Sequence, residues 1–264
     1  MSARAEAERL ARGAGALLEG YFGRLHRGDA SRKGGAARDL VSEADVASEA
    51  YLYEGIPSSD DILGEEGSSR DTGATRKWIV DPLDGTINFL HGIPFWAVSI
   101  GVVDHGELST GVVHAPALGW TFVAERGRGA TLNGEPISVS ATQTLGESIV
   151  ATGFAYRRNE LPDHNFDNFQ SIGMACAGLR RLGAAAMDLA LLASGRIDGF
   201  WELHLAPWDV AAAILLVREA GGTVTNFAGD DDLEKLLHGR NLVASNGAVH
   251  DEIRSHLSPL RGIE

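Results

Sequence analysis

The chain is short of several things, and each shortage closes off a class of protein. Cys176 is the single cysteine in 264 residues. No disulfide can form within the chain, and a reducing cytoplasm is the expected setting. Around it, Met174-Ala175-Cys176-Ala177-Gly178 holds no histidine, so the thiol reads as a small hydrophobe rather than a nucleophile. No window reaches the run of about 18 apolar residues that a membrane span needs. Met1 to Gly20 carries Arg4, Glu6, Glu8, Arg9 and Arg12 where a signal peptide would be apolar. Basic residues are also in the minority. Lys and Arg total 23 against 36 Asp and Glu, a net charge of −13. That balance disfavours nucleic acid as a partner, because phosphate neutralisation needs basic surface.

Apolar residues make up 44% of the chain, enough for a sizeable core. The length allows one large domain or two small ones. The 33 glycines imply many tight turns and close backbone approaches.

One stretch organises the rest: Trp78-Ile79-Val80-Asp81-Pro82-Leu83-Asp84-Gly85-Thr86-Ile87-Asn88-Phe89. Trp78 to Val80 read as the end of a buried strand, with Asp81 at its tip and Pro82 stopping the ladder. Asp84 follows three residues after Asp81, and Gly85-Thr86 can open a helix or tight turn. Two carboxylates this close repel each other unless a cation lies between them. Hard oxygen ligands suit Mg²⁺, which often shares a substrate phosphate. Backbone N–H groups near Gly85-Thr86 would then face an anion. Taken alone, the stretch also fits an Asp-Pro turn with solvated carboxylates.

Three further motifs stand in order around it. Asp39-Leu40-Val41-Ser42-Glu43-Ala44-Asp45 and Leu63-Gly64-Glu65-Glu66-Gly67 precede it. Pro207-Trp208-Asp209 follows, with an apolar run ending in Glu219-Ala220-Gly221-Gly222. Together the four motifs resemble the inositol monophosphatase family, over about residues 10 to 250. The family carries D-L-V-T-x-x-D, a Gly-Glu-Glu turn, W-x-V-D-P-x-D-G-T-x-N-F, and a late W-D followed by E-A-G-G.

The resemblance implies an α/β fold, a five-layer αβαβα sandwich of the inositol monophosphatase and fructose-1,6-bisphosphatase type, with the site between its halves. Residues 1–142 would form an α+β subdomain carrying most metal ligands. Residues 143–264 would form an α/β subdomain carrying Asp209 and the substrate contacts. The implied activity is Mg²⁺-dependent hydrolysis of a phosphomonoester, with two or three ions per site. Asp81 would bridge two metals. Glu65 would bind the first and orient the attacking water with Thr86, while the Leu83 carbonyl completes that site. Asp84 and Asp209 would hold the second metal beside the leaving oxygen. The Gly85 and Thr86 amides would face the phosphate, alongside Asp84. Asp45, Glu66 and Lys33 would lie in an outer shell, with Asp45 also supporting catalysis. Glu202 and the Ala185 backbone would contact an inositol ring, and Ile87-Asn88 favours the inositol branch. His204 lies near the site and reads as a structural or solvated loop residue. The implied substrate is inositol-1-phosphate. Histidinol phosphate, fructose-1,6-bisphosphate and NADP are the rivals, and a protein partnership with the transcription machinery is the rival of another class. A homodimer and lithium inhibition also follow from the resemblance alone.

Periodicity fills in the remainder. A helix is expected from Ala5 to about Leu25, and a basic mobile loop from Gly28 to Ala37. Ser42 is the expected N-cap of a second helix, with Asp45 at its third position. Strands and tight turns alternate over residues 60–140, with Asn133-Gly134 as a hairpin signal. Beyond about residue 145, strands alternate with helices near Asn165–Met174, Gly183–Ser194, Asp209–Ala220 and Ala248–Leu257.

Overall fold

The computed structural model describes residues 2–33, 40–238 and 240–258. The chain opens with α1 (Ala3–Tyr21), β1 (Ser31–Arg32), β2 (Leu40–Val41) and α2 (Glu43–Gly55). Next come β3 (Asp61–Gly64), β4 (Ser69–Arg70), β5 (Arg76–Asp84), α3 (Thr86–Leu90), β6 (Ala97–Asp104) and β7 (Glu107–Ala115). Then follow β8 (Trp120–Glu125), β9 (Ala130–Leu132), β10 (Glu135–Ile137), β11 (Ile149–Thr152), α4 (Phe166–Ala175) and β12 (Gly178–Arg180). The last elements are α5 (Ala185–Ala193), β13 (Gly199–Leu203), α6 (Pro207–Glu219), β14 (Thr223–Thr225), α7 (Leu233–His238), β15 (Asn241–Ser245) and α8 (His250–Ser255).

Two sheets form. The first has eight strands in the order β10-β9-β8-β7-β6-β5-β3-β4, and the second five in the order β12-β11-β13-β15-β14. In the first, only β3 and β5 pair in parallel. The apolar stripe of α1 (Ala7, Leu10, Ala11, Ala14 and Leu18) is buried against this sheet, beside α2. Helices α5 and α6 fill the space between the sheets, so both are apolar nearly all round. Helices α4 and α8 cover the far face of the second sheet through Ile172 and Ile253. This is the five-layer αβαβα arrangement that the resemblance implies.

Close approach sets the position of α6. A Cβ on Gly111 would lie 2.3 Å from the Ala212 carbonyl oxygen, and one on Gly101 would lie 2.7 Å from the Ala211 Cβ. With glycine at both places the helix backbone settles onto β6 and β7. Its first turn, which carries Asp209, thereby comes to the end of β5.

Four sequence readings need correction. Pro82 does not end its strand: β5 pairs with β6 as far as Asp81, breaks register, and pairs again at Asp84. A bulge accommodates the missing N–H of proline. The expected loop over Gly28 to Ala37 is ordered at its start, where Arg27–Asp29 form a short 3-10 turn and Ser31–Arg32 pair with Leu40–Val41. Residues 34–39, including Asp39 of the first motif, lie outside the described residues. The first helix ends at Tyr21, before Phe22, whose ring packs on Phe89 and Trp96 at 5.4 and 5.3 Å. Helix α7 was not foreseen, because Leu233–His238 gives a single turn of apolar pattern.

Candidate active site

The bulge in β5 turns the Asp81–Asp84 segment into the floor of the site. Asp81 and Asp84 are buried, at 2% and 7% exposure. Each is anchored by backbone N–H groups. Leu83 N donates to Asp81 Oδ1 at 2.9 Å. Ala185 N and Met187 N, in the first turn of α5, donate to Asp84 Oδ1 and Oδ2 at 3.1 and 3.3 Å. An acid at a helix N-terminus uses amides that lack helical partners. Gly85 takes φ +91° and starts α3. A side chain there would be strained, and its Cβ would lie 3.0 Å from the Phe95 carbonyl oxygen.

Thr86 and Asp45 form a second layer beneath. Ser42 caps α2 as expected, and its N–H and hydroxyl donate to Asp45 Oδ2 at 2.8 and 2.6 Å. The Thr86 hydroxyl lies 3.0 Å from Asp45 Oδ1 and 3.2 Å from the Leu83 carbonyl. Ser48 donates to the Pro82 carbonyl at 2.9 Å, which fixes the bulge from the α2 side.

Glu65 follows β3, as Asp81 follows the part of β5 that pairs with β3. Lys33 Nζ lies 2.7 Å from both Glu65 Oε1 and Glu66 Oε1. Glu49, which the sequence reading passed over, accepts from Glu66 N and Ser68 N, each at 2.7 Å, and so shapes the Gly-Glu-Glu turn. Asp209 sits in the first turn of α6 and accepts from Ala206 N at 2.7 Å.

A cleft of about 620 Å³ opens above. Glu65, Asp84, Ala185, Glu202, Asp209 and Lys33 line it. Asp81, Leu83, Gly85, Thr86, Asp45 and Glu66 are not among the residues that line it. The cleft also holds groups the sequence did not single out. Tyr156, Arg181 and Asp188 line it. Asp188 is the sole charge in the otherwise apolar α5, the one signal that could have exposed it. Asn88 proves to be a tie between layers: its amide donates to the carbonyls of Phe95 and Leu182 at 2.8 and 2.9 Å. His204, as read from its loop setting, contacts the Asp163 carbonyl through Nε2 at 3.0 Å. Cys176 is half-buried at the end of α4, and burial pushes its thiol up.

The electrostatics are those of crowded acids. Burial, then Glu65, Asp84 and Asp209, push the Asp81 carboxyl well above its usual range. Burial likewise raises Asp209 well above it, with Glu65 adding to the effect. Asp84 is pushed up to about 7 by burial, against the opposing pull of its α5 amides. Burial raises Glu66 to about 7 and Glu202 to about 8, and it also pushes Asp45 and Asp188 up. Burial disfavours the Lys33 ammonium, but Glu65 and Glu66 outweigh that and raise it. The Tyr156 phenol is raised by burial and by the field of Glu65 and Asp209.

Among the described residues, no three acidic, histidine or cysteine side chains are already drawn together as a metal-ligand set. The donor chemistry nevertheless fits a hard cation. Glu65 raises the proton affinity of Asp81, Asp84 and Asp209, and Asp84 raises that of Asp81 and Asp209, which is the signature of uncompensated negative charge. All their donor atoms are oxygens, the type that Mg²⁺ takes.

Comparison with known proteins agrees. Residues 2–260 match the inositol monophosphatase family. The chain belongs to that family. A Pseudomonas aeruginosa protein named Nus factor SuhB is 41% identical over 264 residues, covering 95% of each chain. A Thermotoga maritima fructose-1,6-bisphosphatase/inositol-1-monophosphatase is 38% identical over 248 residues, covering 93% of this chain and 91% of its own. The solved inositol monophosphatase of Anabaena (Nostoc) superposes with a TM-score of 0.84 at 38% identity, covering 97% of this chain and 96% of its own. Membership of this family makes the chain a phosphoric monoester hydrolase in type, and the family is generally metal-dependent. Among the described residues, no helix is long and apolar enough to cross a membrane.

Proposed function

We propose that this protein hydrolyses inositol-1-phosphate to inositol and phosphate with Mg²⁺ as cofactor. The observation that carries the reading is the convergence of Glu65, Asp84, Asp209 and Glu202 on one cleft, with Asp81 buried at its floor. Glu65, Asp81, Asp84, Asp209 and the Leu83 carbonyl would hold two or three ions. When bound, the metal supplies charge neutralisation on the phosphoryl oxygens and a more acidic water.

The protein's own groups do the rest. With its proton directed to Asp45 Oδ1, Thr86 Oγ1 accepts a hydrogen bond from the attacking water through a lone pair. Glu65 offers that water a second acceptor. The Gly85 and Thr86 amides, at the start of α3, face the phosphate. Ala185, with its N–H already on Asp84, sets the wall against which the alcohol lies. Glu202 accepts from ring hydroxyls. Phosphate release from a panel of inositol-1-phosphate, fructose-1,6-bisphosphate, histidinol phosphate and NADP, with and without Mg²⁺, tests this. Highest kcat/KM on inositol-1-phosphate is expected, with inhibition by lithium, and a strong preference for another ester would replace the substrate. Turnover that survives EDTA would remove the mechanism.

A second reading draws support from relatives that bear the name Nus factor: a protein partnership with the transcription machinery. Pull-down with the tagged chain from native lysate, followed by identification of the captured subunits, tests it.

A further inference from the structure

Asp188 is 1% exposed, yet it lines the cleft. Its Oδ1 is buried and has no hydrogen-bond partner among the described residues. Buried carboxylate oxygens are rarely left this way, because the lost hydration is not replaced. Apolar residues fill the other positions of α5, so nothing on the helix answers this acid.

Its surroundings say what would. Glu202 and Asp84 are close enough to add to its proton affinity, and Arg181 close enough to oppose it. Glu202 comes from β13 and Asp188 from α5, so two acceptors from separate elements line one cavity. The carboxylate of Glu202 is itself pressed against Gly153, where a Cβ would lie 2.1 Å from Oε1. Two acceptors held by the fold call for an occupant with two donors. A flat aromatic alcohol offers none beyond the ester oxygen, whereas a polyol offers a hydroxyl to each acid.

We propose that Asp188 is a specificity-determining residue that, with Glu202, accepts hydrogen bonds from two hydroxyls of a polyol leaving group. The inference rests on the phosphomonoester reading above and adds a second reader of the alcohol. A site that holds a buried acceptor discriminates, since a substrate without the hydroxyl leaves that acceptor unpaired.

The test uses the full-length protein with Mg²⁺ and two substrates, inositol-1-phosphate and p-nitrophenyl phosphate. In D188N and D188A, the ratio of kcat/KM for the first over the second should fall about 10- to 100-fold, mostly through KM. The constant for competitive inhibition of p-nitrophenyl phosphate hydrolysis by myo-inositol should rise by a similar factor. D188N, which keeps one acceptor oxygen, should fall between wild type and D188A. Equal losses on both substrates, or an unchanged myo-inositol inhibition constant in a folded variant, would overturn the role of Asp188 while leaving the phosphatase reading standing. A wild-type protein that turns over p-nitrophenyl phosphate but shows no preference for any polyol ester would also overturn it. Failure of wild type on every ester would remove both readings.

Discussion

Gly153 and Glu202 occupy one another's space. A methyl group on Gly153 would lie within 2.2 Å of all three carboxyl atoms of Glu202; Gly153 follows β11, and Glu202 lies on the neighbouring β13. The absence of a side chain at 153 is therefore what lets the Glu202 carboxylate face the cleft. Gly153→Ala should displace Glu202 and raise KM for inositol-1-phosphate by about 10-fold or more, with p-nitrophenyl phosphate affected less. Overpacking of this kind also costs about 1–3 kcal/mol, so Tm should fall. Kinetics on both esters, with a melting curve, check it, and an unchanged KM would separate Glu202 from the alcohol.

Asp209→Asn should fold normally and lose most activity. The amide still accepts from Ala206 N, the contact that holds the residue in the first turn of α6. What disappears is one negative charge from the group of acids proposed to hold the cation. We expect an unchanged far-UV CD spectrum and kcat lower by about 10²-fold or more. Near-normal kcat at ordinary Mg²⁺ would take Asp209 out of the ligand set.

Cation and pH should act on stability together. In cation-free protein, burial raises Asp84 and Glu66 to about 7 and Glu202 to about 8. A carboxyl whose folded pKa is raised contributes stability at low pH and loses it as pH rises through the folded value. The cation-free protein should therefore weaken as pH rises through 7 and 8. Mg²⁺ at 100 times its Kd adds about 2.7 kcal/mol, or about 5–10 °C in Tm for a domain of this size. Melting curves at pH 6 and 8.5 check the sign. A Mg²⁺ shift no larger at pH 8.5 than at pH 6 would contradict the account.

Two buried histidines work in the opposite sense. His250 lies between Thr225 Oγ1 and Ser245 Oγ at 2.9 and 3.0 Å, and His114 bonds Thr121 Oγ1 at 2.9 Å. Burial pushes both down to about 4. A ring kept neutral in the fold contributes fully above its unfolded pKa of about 6.5, and that stability is lost as pH falls toward 4. Between pH 7 and 5 each should cost about 2 kcal/mol. Urea unfolding of wild type and His250→Asn at both pH values should show a pH dependence smaller by about that amount in the variant. An equal dependence would clear His250.

The chain should also be a homodimer, as its family resemblance implies. Light scattering at micromolar concentration checks this, and a monomer mass would contradict it.

Local chemistry was legible where a residue answers to its near neighbours. Ser42 and Asp45 form the expected capping box because both partners lie within one turn. Asn133 and Gly134 adopt φ of 52° and 86°, and the hairpin follows. The paired acids were legible because Asp81 and Asp84 share one strand end. Contacts across the layers were not. Nothing near Asn88 in sequence points to the Leu182 carbonyl, to which its amide donates. Pro82 was read as a stop because a bulge depends on β6 and on Ser48, neither visible from residue 82. Asp188 is a lone charge in an apolar helix, and nothing near it in sequence points to Glu202, which the second sheet brings to the same cleft.

The anchoring of Asp84 by the first turn of α5 has a consequence for the integrity of the chain. Asp84 belongs to the eight-stranded sheet, but the amides that hold it come from residues 185 and 187. Asp209, too, arrives from the later half of the chain. A cut in the connection between β10 and β11 would thus divide the proposed cation site, leaving Asp81 and Asp84 without their counterpart on one fragment and Asp209 without its floor on the other. Neither fragment alone would respond to Mg²⁺. Return of a Mg²⁺-dependent melting shift on mixing the two would report that the halves had found each other, which makes the ion a gauge of assembly as well as a reagent.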